Sequence, residues 1–421
     1  MNKVNLKVNL EVEFCGVKFI NPFLLASAPG SDSREMMARA FEAGWGGAVL
    51  KTLSCDSEPM DLVSPKIGGV SYDNRRLMGM VNIDLITERK LEVCLNDIKD
   101  LKVRYPKHIV VSSIMASREA DWKEIAILSQ NAGADMIECN FSCPHGMPER
   151  KMGALIGQDP EMTSSISRWV KEAVDIPVLI KLTPNVTDIV PLAREVVNAG
   201  CDGITLINTI RSLLGVDLEN WDPMPNVGGK STYGGYSGPA VKPIALRFVS
   251  TVAKHFGLPV SASGGITTWR DAAEFILCGA GTVQLCTAPM HYGYRMIEDL
   301  AEGLSDYLES KGLNRLQDLV GRVLPKLVTY EELDKNHSMA AKIDKKACRK
   351  EGLCYLACRD GGHQAIELDR DNYPIVNQDK CVGCGLCSTV CPVENCIAYH
   401  KADGHHKDKR AEARPSSFVR I

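Results

Sequence analysis

Short apolar runs rich in β-branched residues alternate with longer amphipathic stretches from residue 23 to about residue 312. The runs are FLLASA (23–28), GAVLKT (47–52), IVVSSI (109–114), MIECNFS (136–142), PVLIKLT (177–183), GITLIN (203–208), PVSASGG (259–265) and TVQLCT (282–287). Between them, stretches such as SREMMARAFEAG, DWKEIAILSQNAG, DIVPLAREVVNAG and WRDAAEFILCGAG carry helical patterning, and several end in glycine, a common helix stop. Eight strand–helix units in roughly 250 residues predict an α/β chain folded as a closed (β/α)8 TIM barrel, because an open doubly wound sheet usually has fewer strands. Upstream, Val4 to Phe14 alternates apolar with polar residues. That is a strand pattern, and it lacks the unbroken apolar core of a signal peptide, so a cytoplasmic chain is expected.

The alternation stops near residue 312. The expected organisation is a barrel over 1–312, a polar linker over 313–342, a cysteine-rich α+β domain over 343–400 and a disordered, His-containing basic tail over 401–421. A net charge of −3 spread over 421 residues leaves no broad basic footprint for nucleic acid, and no run of about 18 apolar residues suggests a membrane span.

Composition changes the picture at one residue type. Of 16 cysteines, eight are scattered between Cys15 and Cys286 and eight are packed between Cys348 and Cys396. CVGCGLCSTVCP sets Cys381, Cys384, Cys387 and Cys391 at C-x2-C-x2-C-x3-C-P spacing. Three thiolates so close together suit one iron–sulfur cluster, and the fourth suits the other cluster of a two-cluster ferredoxin; zinc sites use more widely separated pairs. The upstream CRKEGLCYLAC repeats the pattern imperfectly, with Glu351 where a cysteine would stand. The ferredoxin crossing rule then gives one cluster to Cys358, Cys381, Cys384 and Cys387, and the other to Cys348, Cys354 and Cys391. For that second cluster, Glu351 as an oxygen ligand and a three-iron or labile centre both stay open. Cys396 falls outside both sets and reads as a buried thiol.

A carrier of single electrons next to a barrel implies a redox group that can exchange electrons singly and in pairs, which is what a flavin does. Barrels of this kind work at the C-terminal ends of their strands. There the sequence places Ser27, Lys51, Thr52, Asn140, Ser142, Lys181, Asn208, Thr209, Ser263, Gly264, Gly265 and Thr287. Taken singly, each reads as a turn or cap residue; two lysines and two asparagines at comparable strand ends suggest a site. The glycines of SGGI (263–266) and TYGGYSG (232–238) would let backbone approach a phosphate. No G-x-G-x-x-G opens a strand–helix unit, so no dinucleotide site is expected.

NFSCPHGM (140–147), KLTPNVTDI (181–189), INT (207–209), YGGYSGPA (233–240) and PIALR (243–247), together with the cysteine module, resemble the dihydropyrimidine dehydrogenase family. The resemblance is to the separate catalytic subunit of its bacterial NAD-dependent form, and it runs from Val8 to Tyr399. The related dihydroorotate dehydrogenases share the barrel and an N-x-S-C-P loop, but usually read S-C-P-N and lack the ferredoxin tail. The resemblance implies that FMN is held by Ser27, Lys51, Thr52, Lys181, Gly238, Ser263, Gly264, Gly265, Cys286 and Thr287. It implies a pyrimidine base, uracil or thymine, held by Asn82, Asn140, Phe141, Ser142, Asn208 and Thr209, with Cys143 as the proton donor. A carboxamide both donates and accepts, so several asparagines can satisfy a neutral cyclic imide without burying a charge. An unperturbed thiol titrates near 8.5, which leaves Cys143 protonated at neutral pH. The resemblance also implies a hetero-oligomer with an NAD- and FAD-binding flavoprotein subunit. A dihydroorotate-type oxidoreductase and a non-catalytic ferredoxin-like electron-transfer subunit are the alternatives.

Overall fold

The computed structural model describes residues 6–55, 63–72, 76–140, 153–335 and 337–402. Two compact units divide the chain, Met1–Leu327 and Val328–Ile421. The boundary falls inside the stretch read above as linker. That stretch carries short 3-10 turns at Leu316–Leu319 and Leu324–Lys326, and the strand Met339–Ile343.

The first unit is the expected barrel. Its strands are β1 (Phe23–Leu25), β2 (Gly47–Val49), β3 (Ile109–Ile114), β4 (Met136–Asn140), β5 (Val178–Lys181), β6 (Gly203–Leu206), β7 (Val260–Ser263) and β8 (Ala280–Leu285). They close in chain order, and β8 pairs in parallel with β1. A helix follows each strand, because each intervening stretch has an apolar stripe and defined ends. After β1, the Ser33 hydroxyl caps Arg34–Ala43 by accepting from the Met36 amide, and Gly44 ends it in the left-handed region at φ 116°. After β7, Thr268 and Asp271 form a reciprocal capping box on Trp269–Leu277.

The alternation from Val4 to Phe14 is visible in burial: Val8, Leu10, Val12 and Phe14 face inward. Among the described residues of that stretch, Val12–Phe14 forms a strand, pairing with Val17–Phe19. A four-stranded antiparallel sheet, in the order Ile210–Ser212, Gly234–Ser237, Arg76–Asn82, Ile67–Tyr72, is assembled from the β2 and β6 connections. It follows the C-terminal ends of those two barrel strands, the side on which the expected site residues lie.

In the second unit, Met339–Ile343 pairs with Ile397–Lys401 and Ile366–Leu368 with Pro374–Val376. Two short helices, Leu353–Gly361 and Leu386–Val390, follow the two cysteine loops. Residues 403–421, the bulk of the expected tail, lie outside the described residues. Among those described, no helix is long and apolar enough to cross a membrane.

Candidate active site

A cleft opens at the C-terminal end of the barrel. Ser27, Lys181, Asn208, Thr209, Gly238, Ser263, Gly264, Gly265, Cys286 and Thr287 all line it. They come from β1, β5, β6, β7, β8 and the added sheet, so closure of the barrel is what brings them together. Thr52 and Asn140 stand one hydrogen bond behind the lining. The Thr52 hydroxyl pairs with Ser27 Oγ at 3.2 Å and accepts from Asn140 Nδ2 at 2.8 Å. Asn208 Nδ2 donates to Asn140 Oδ1 at 3.0 Å, and the Thr209 amide donates to Asn208 Oδ1 at 2.8 Å. The two carboxamides are thereby held in one chain of donors and acceptors.

Asn185 extends that chain: its Nδ2 donates to the Thr209 carbonyl at 3.1 Å and to Thr183 Oγ1 at 3.0 Å. Asn82 ends a strand of the added sheet, its Oδ1 accepting from the Asp84 amide at 2.8 Å, and it is not among the residues lining the cleft. Phe141, Ser142 and Cys143, with the rest of their loop, lie outside the described residues.

Charge in this region is paired. Lys51 Nζ meets Asp84 at 2.5 Å and Glu88 at 3.7 Å, and Lys66 reaches the same Asp84 oxygen at 3.2 Å. Lys181 Nζ lies 3.3 Å from Glu138 Oε1. Glu138 is fully buried inside the barrel, where a lone carboxylate would be costly. Its second oxygen accepts from Thr205 Oγ1 at 2.9 Å and from Gln284 Nε2 at 2.8 Å. Sequence reasoning missed Glu138, Gln284 and Asn185. A glutamate centred in MIECN was the available signal, since an acid within a fully buried strand needs a partner.

The cleft has the features FMN requires. Gly264 and Gly265 follow β7 at φ 126° and 82°, a left-handed turn that favours glycine. Their amides donate to no backbone carbonyl among the described residues. The turn packs on the start of the helix Lys242–Phe256, so close that a Cβ on Gly265 would lie 2.6 Å from the Lys242 nitrogen. Backbone amides beside a helix N-terminus favour a phosphate. Among the described residues the buried Gln284 Oε1 has no hydrogen-bond partner, leaving an acceptor at the cleft wall for a ring N–H. Desolvation pushes the Cys286 thiol above its ordinary pKa, with Lys181 opposing, so it stays a neutral neighbour for a bound ring. Replacing Gly265 with alanine is expected to leave the purified chain largely flavin-free. The flavin-to-protein absorbance ratio checks this, and full flavin loading would remove the turn from the binding site.

In the second unit, one cavity is lined by Cys358, Cys381, Cys384 and Cys387. The Ala365 and Ala341 amides donate to Cys358 Sγ at 3.3 Å and Cys381 Sγ at 3.4 Å, bonds that would stabilise cluster-bound thiolates. Cys384 is exposed, whereas the other three are buried. A second cavity is lined by Cys348, Cys354 and Cys391, with Glu351 and also Cys396. Both thiol sets suit iron–sulfur clusters.

Comparison with known proteins agrees with this geometry. Residues 9–308 match the dihydroorotate dehydrogenase family and residues 341–399 match the 4Fe-4S dicluster domain. The chain is 45% identical to the NAD-dependent dihydropyrimidine dehydrogenase subunit PreA of Escherichia coli (strain K12), over 93% of this chain and 95% of that protein. It is 38% identical to the chloroplastic dihydropyrimidine dehydrogenase (NADP(+)) of Arabidopsis thaliana, over 82% and 83%. It is 36% identical to the dihydroorotate dehydrogenase B (NAD(+)) catalytic subunit of Pyrococcus abyssi, over 75% and 99%. A crystal structure of DHODH from Eimeria tenella in complex with ferulenol shares the fold, with a TM-score of 0.63 at 20% identity over 75% of this chain and 88% of that one.

Proposed function

Since the chain belongs to the dihydropyrimidine dehydrogenase family, a dihydroorotate dehydrogenase-type barrel joined to a 4Fe-4S dicluster domain, we propose that it reduces uracil and thymine reversibly to 5,6-dihydropyrimidines. Catalysis belongs to the barrel and electron relay to the cysteine-rich unit, with FMN in the cleft and two iron–sulfur clusters in the two cavities. FMN, when bound, supplies a hydride to C6 of the pyrimidine. Ser263, Gly264, Gly265 and Gly238 would hold its phosphate end, and Ser27, Cys286 and Thr287 would border it, with Thr52 supporting Ser27 from behind. Lys181 would balance negative charge that builds up on the ring, and Lys51, outside the cleft lining and paired with Asp84, would add to that positive field. Asn140, Asn208 and Thr209, with Asn82, Phe141 and Ser142, hold the substrate. Cys143 delivers a proton to C5.

One observation carries the choice of substrate. The Asn140–Asn208–Thr209 chain offers alternating donors and acceptors, and Lys181, already paired with Glu138, is the one cation among the described lining residues. A neutral imide matches that pattern. Orotate would bring a carboxylate that wants a further cation.

Electrons come from a partner flavoprotein subunit that carries FAD and oxidises NADH. The purified chain is therefore expected to reduce uracil with reduced methyl viologen and to give negligible turnover with NADH alone. Steady-state assays with uracil and orotate side by side check both points. Faster turnover of orotate would favour the dihydroorotate-type reading, and rapid NADH-driven reduction by this chain alone would remove the need for the partner.

A further inference from the structure

The eight cysteines of the C-terminal unit divide evenly between its two cavities. Four line the first, and Cys348, Cys354, Cys391 and Cys396 line the second. Cys396 is 2% exposed. Its carbonyl accepts from the Asp344 amide at 2.8 Å, and the Asp344 carbonyl accepts from the Cys348 amide at 3.0 Å, so one residue ties Cys396 to Cys348. On the other side, the Val393 carbonyl accepts from Cys391 Sγ at 3.6 Å and from the Cys396 amide at 3.3 Å, which folds Cys396 back beside Cys391.

The loop that lost its cysteine keeps its shape. Lys350 stands at φ 61° where the intact repeat has Gly383 at φ 64°, and Gly352 at φ 76° matches Gly385 at φ 89°. A lysine held in the left-handed region costs about 1–2 kcal/mol, and such a conformation persists where the surrounding structure over-determines it. The Lys350 amide still donates to Cys348 Sγ at 3.4 Å. The loop is thus built for a cluster but brings an exposed carboxylate, Glu351, to the position of Cys384. Iron in a sulfur cluster favours the softer thiolate over a carboxylate.

We propose that Cys396 is the fourth protein ligand of the second cluster, making it a four-iron centre held by Cys348, Cys354, Cys391 and Cys396, with Glu351 left outside the coordination sphere. This assignment rests on the two-cluster reading of the unit and adds its ligand set. Spacing alone misses it, because Cys396 comes five residues after Cys391, beyond the C-x2-C-x2-C-x3-C-P pattern.

The test uses the full chain, purified anaerobically with its flavin, with iron and sulfide counted per chain and EPR spectra recorded in oxidised and reduced states. About eight irons are expected in the wild type and in E351Q. C396S and C396A are expected to lose about one iron and to show the near-isotropic EPR signal of an oxidised three-iron cluster, with the first cluster and the flavin unchanged. The double variant E351C/C396S is expected to regain the full iron count, which shows that the fold tolerates loss of Cys396, and C396A supplies the iron count and spectrum if C396S alone is unstable. Retention of all iron with unaltered spectra in C396S and C396A would overturn the assignment, as would iron loss in E351Q instead, or a three-iron signal already present in the wild type. A wild type holding only about four irons would overturn the two-cluster reading itself.

Discussion

Replacing Cys143 with alanine is expected to lower viologen-driven uracil reduction by roughly 10²- to 10⁴-fold, the usual contribution of a positioned general acid. FMN content and the iron count are expected to stay at wild-type levels, because the residues assigned to both cofactors lie elsewhere in the chain. Loss of turnover with flavin retained separates an acid at C5 from a residue that merely supports the fold. A solvent proton can replace the missing one only slowly, so the flavin of the variant should still be reduced by the clusters while product fails to accumulate. Single-turnover absorbance at the flavin band, followed with and without uracil, reads this directly. Reoxidation of the flavin by uracil at the wild-type rate would show that Cys143 is not the donor, and would strengthen the reading of the barrel as a scaffold for electron transfer.

The second large effect is expected at Glu138. Removing one partner of a buried ion pair typically costs about 3–5 kcal/mol, since the remaining charge is left without compensation. Glu138→Ala would take the Glu138 carboxylate from Lys181 inside the barrel and remove an acceptor of both Thr205 and Gln284. Urea unfolding followed by tryptophan fluorescence reports the barrel unit alone, because all five tryptophans lie between Trp45 and Trp269. The midpoint should fall with the slope little changed. Glu138→Gln combined with Lys181→Met should recover part of the loss, as an uncharged pair buries no ion. A midpoint for Glu138→Ala indistinguishable from wild type would show that Lys181 finds another counter-charge or water in this layer.

The barrel was legible because its signal is repetitive: each of the eight apolar runs became a strand, and each amphipathic stretch supplied a covering helix. The added sheet was not legible. Its strands IGGVSY and RLMGMVN are glycine-containing and short of a clean alternation, and their pairing depends on a partner about 150 residues away, Gly234–Ser237. The glycines have a packing reason. A Cβ on Gly79 would lie 2.4 Å from the Tyr236 ring, so the strands can approach only without it.

The site divides in the same way. Residues at strand ends, from Ser27 to Thr287, could be read from position in the repeat. The groups behind them could not, because whether Glu138 points into the barrel and meets Lys181, Thr205 and Gln284 depends on the register between strands. In the cysteine-rich unit, spacing named seven thiols, and only the folded turn after Pro392 brought Cys396 to the second cavity.

The outward-facing position of Cys384 bears on how the chain is fed. Electron tunnelling weakens steeply with separation, and a cubane anchored partly by a surface thiolate would lie within short range of a subunit docked over it. On the proposed function, reducing equivalents would enter through this corner from the partner subunit, and the same exposure would leave it open to dioxygen.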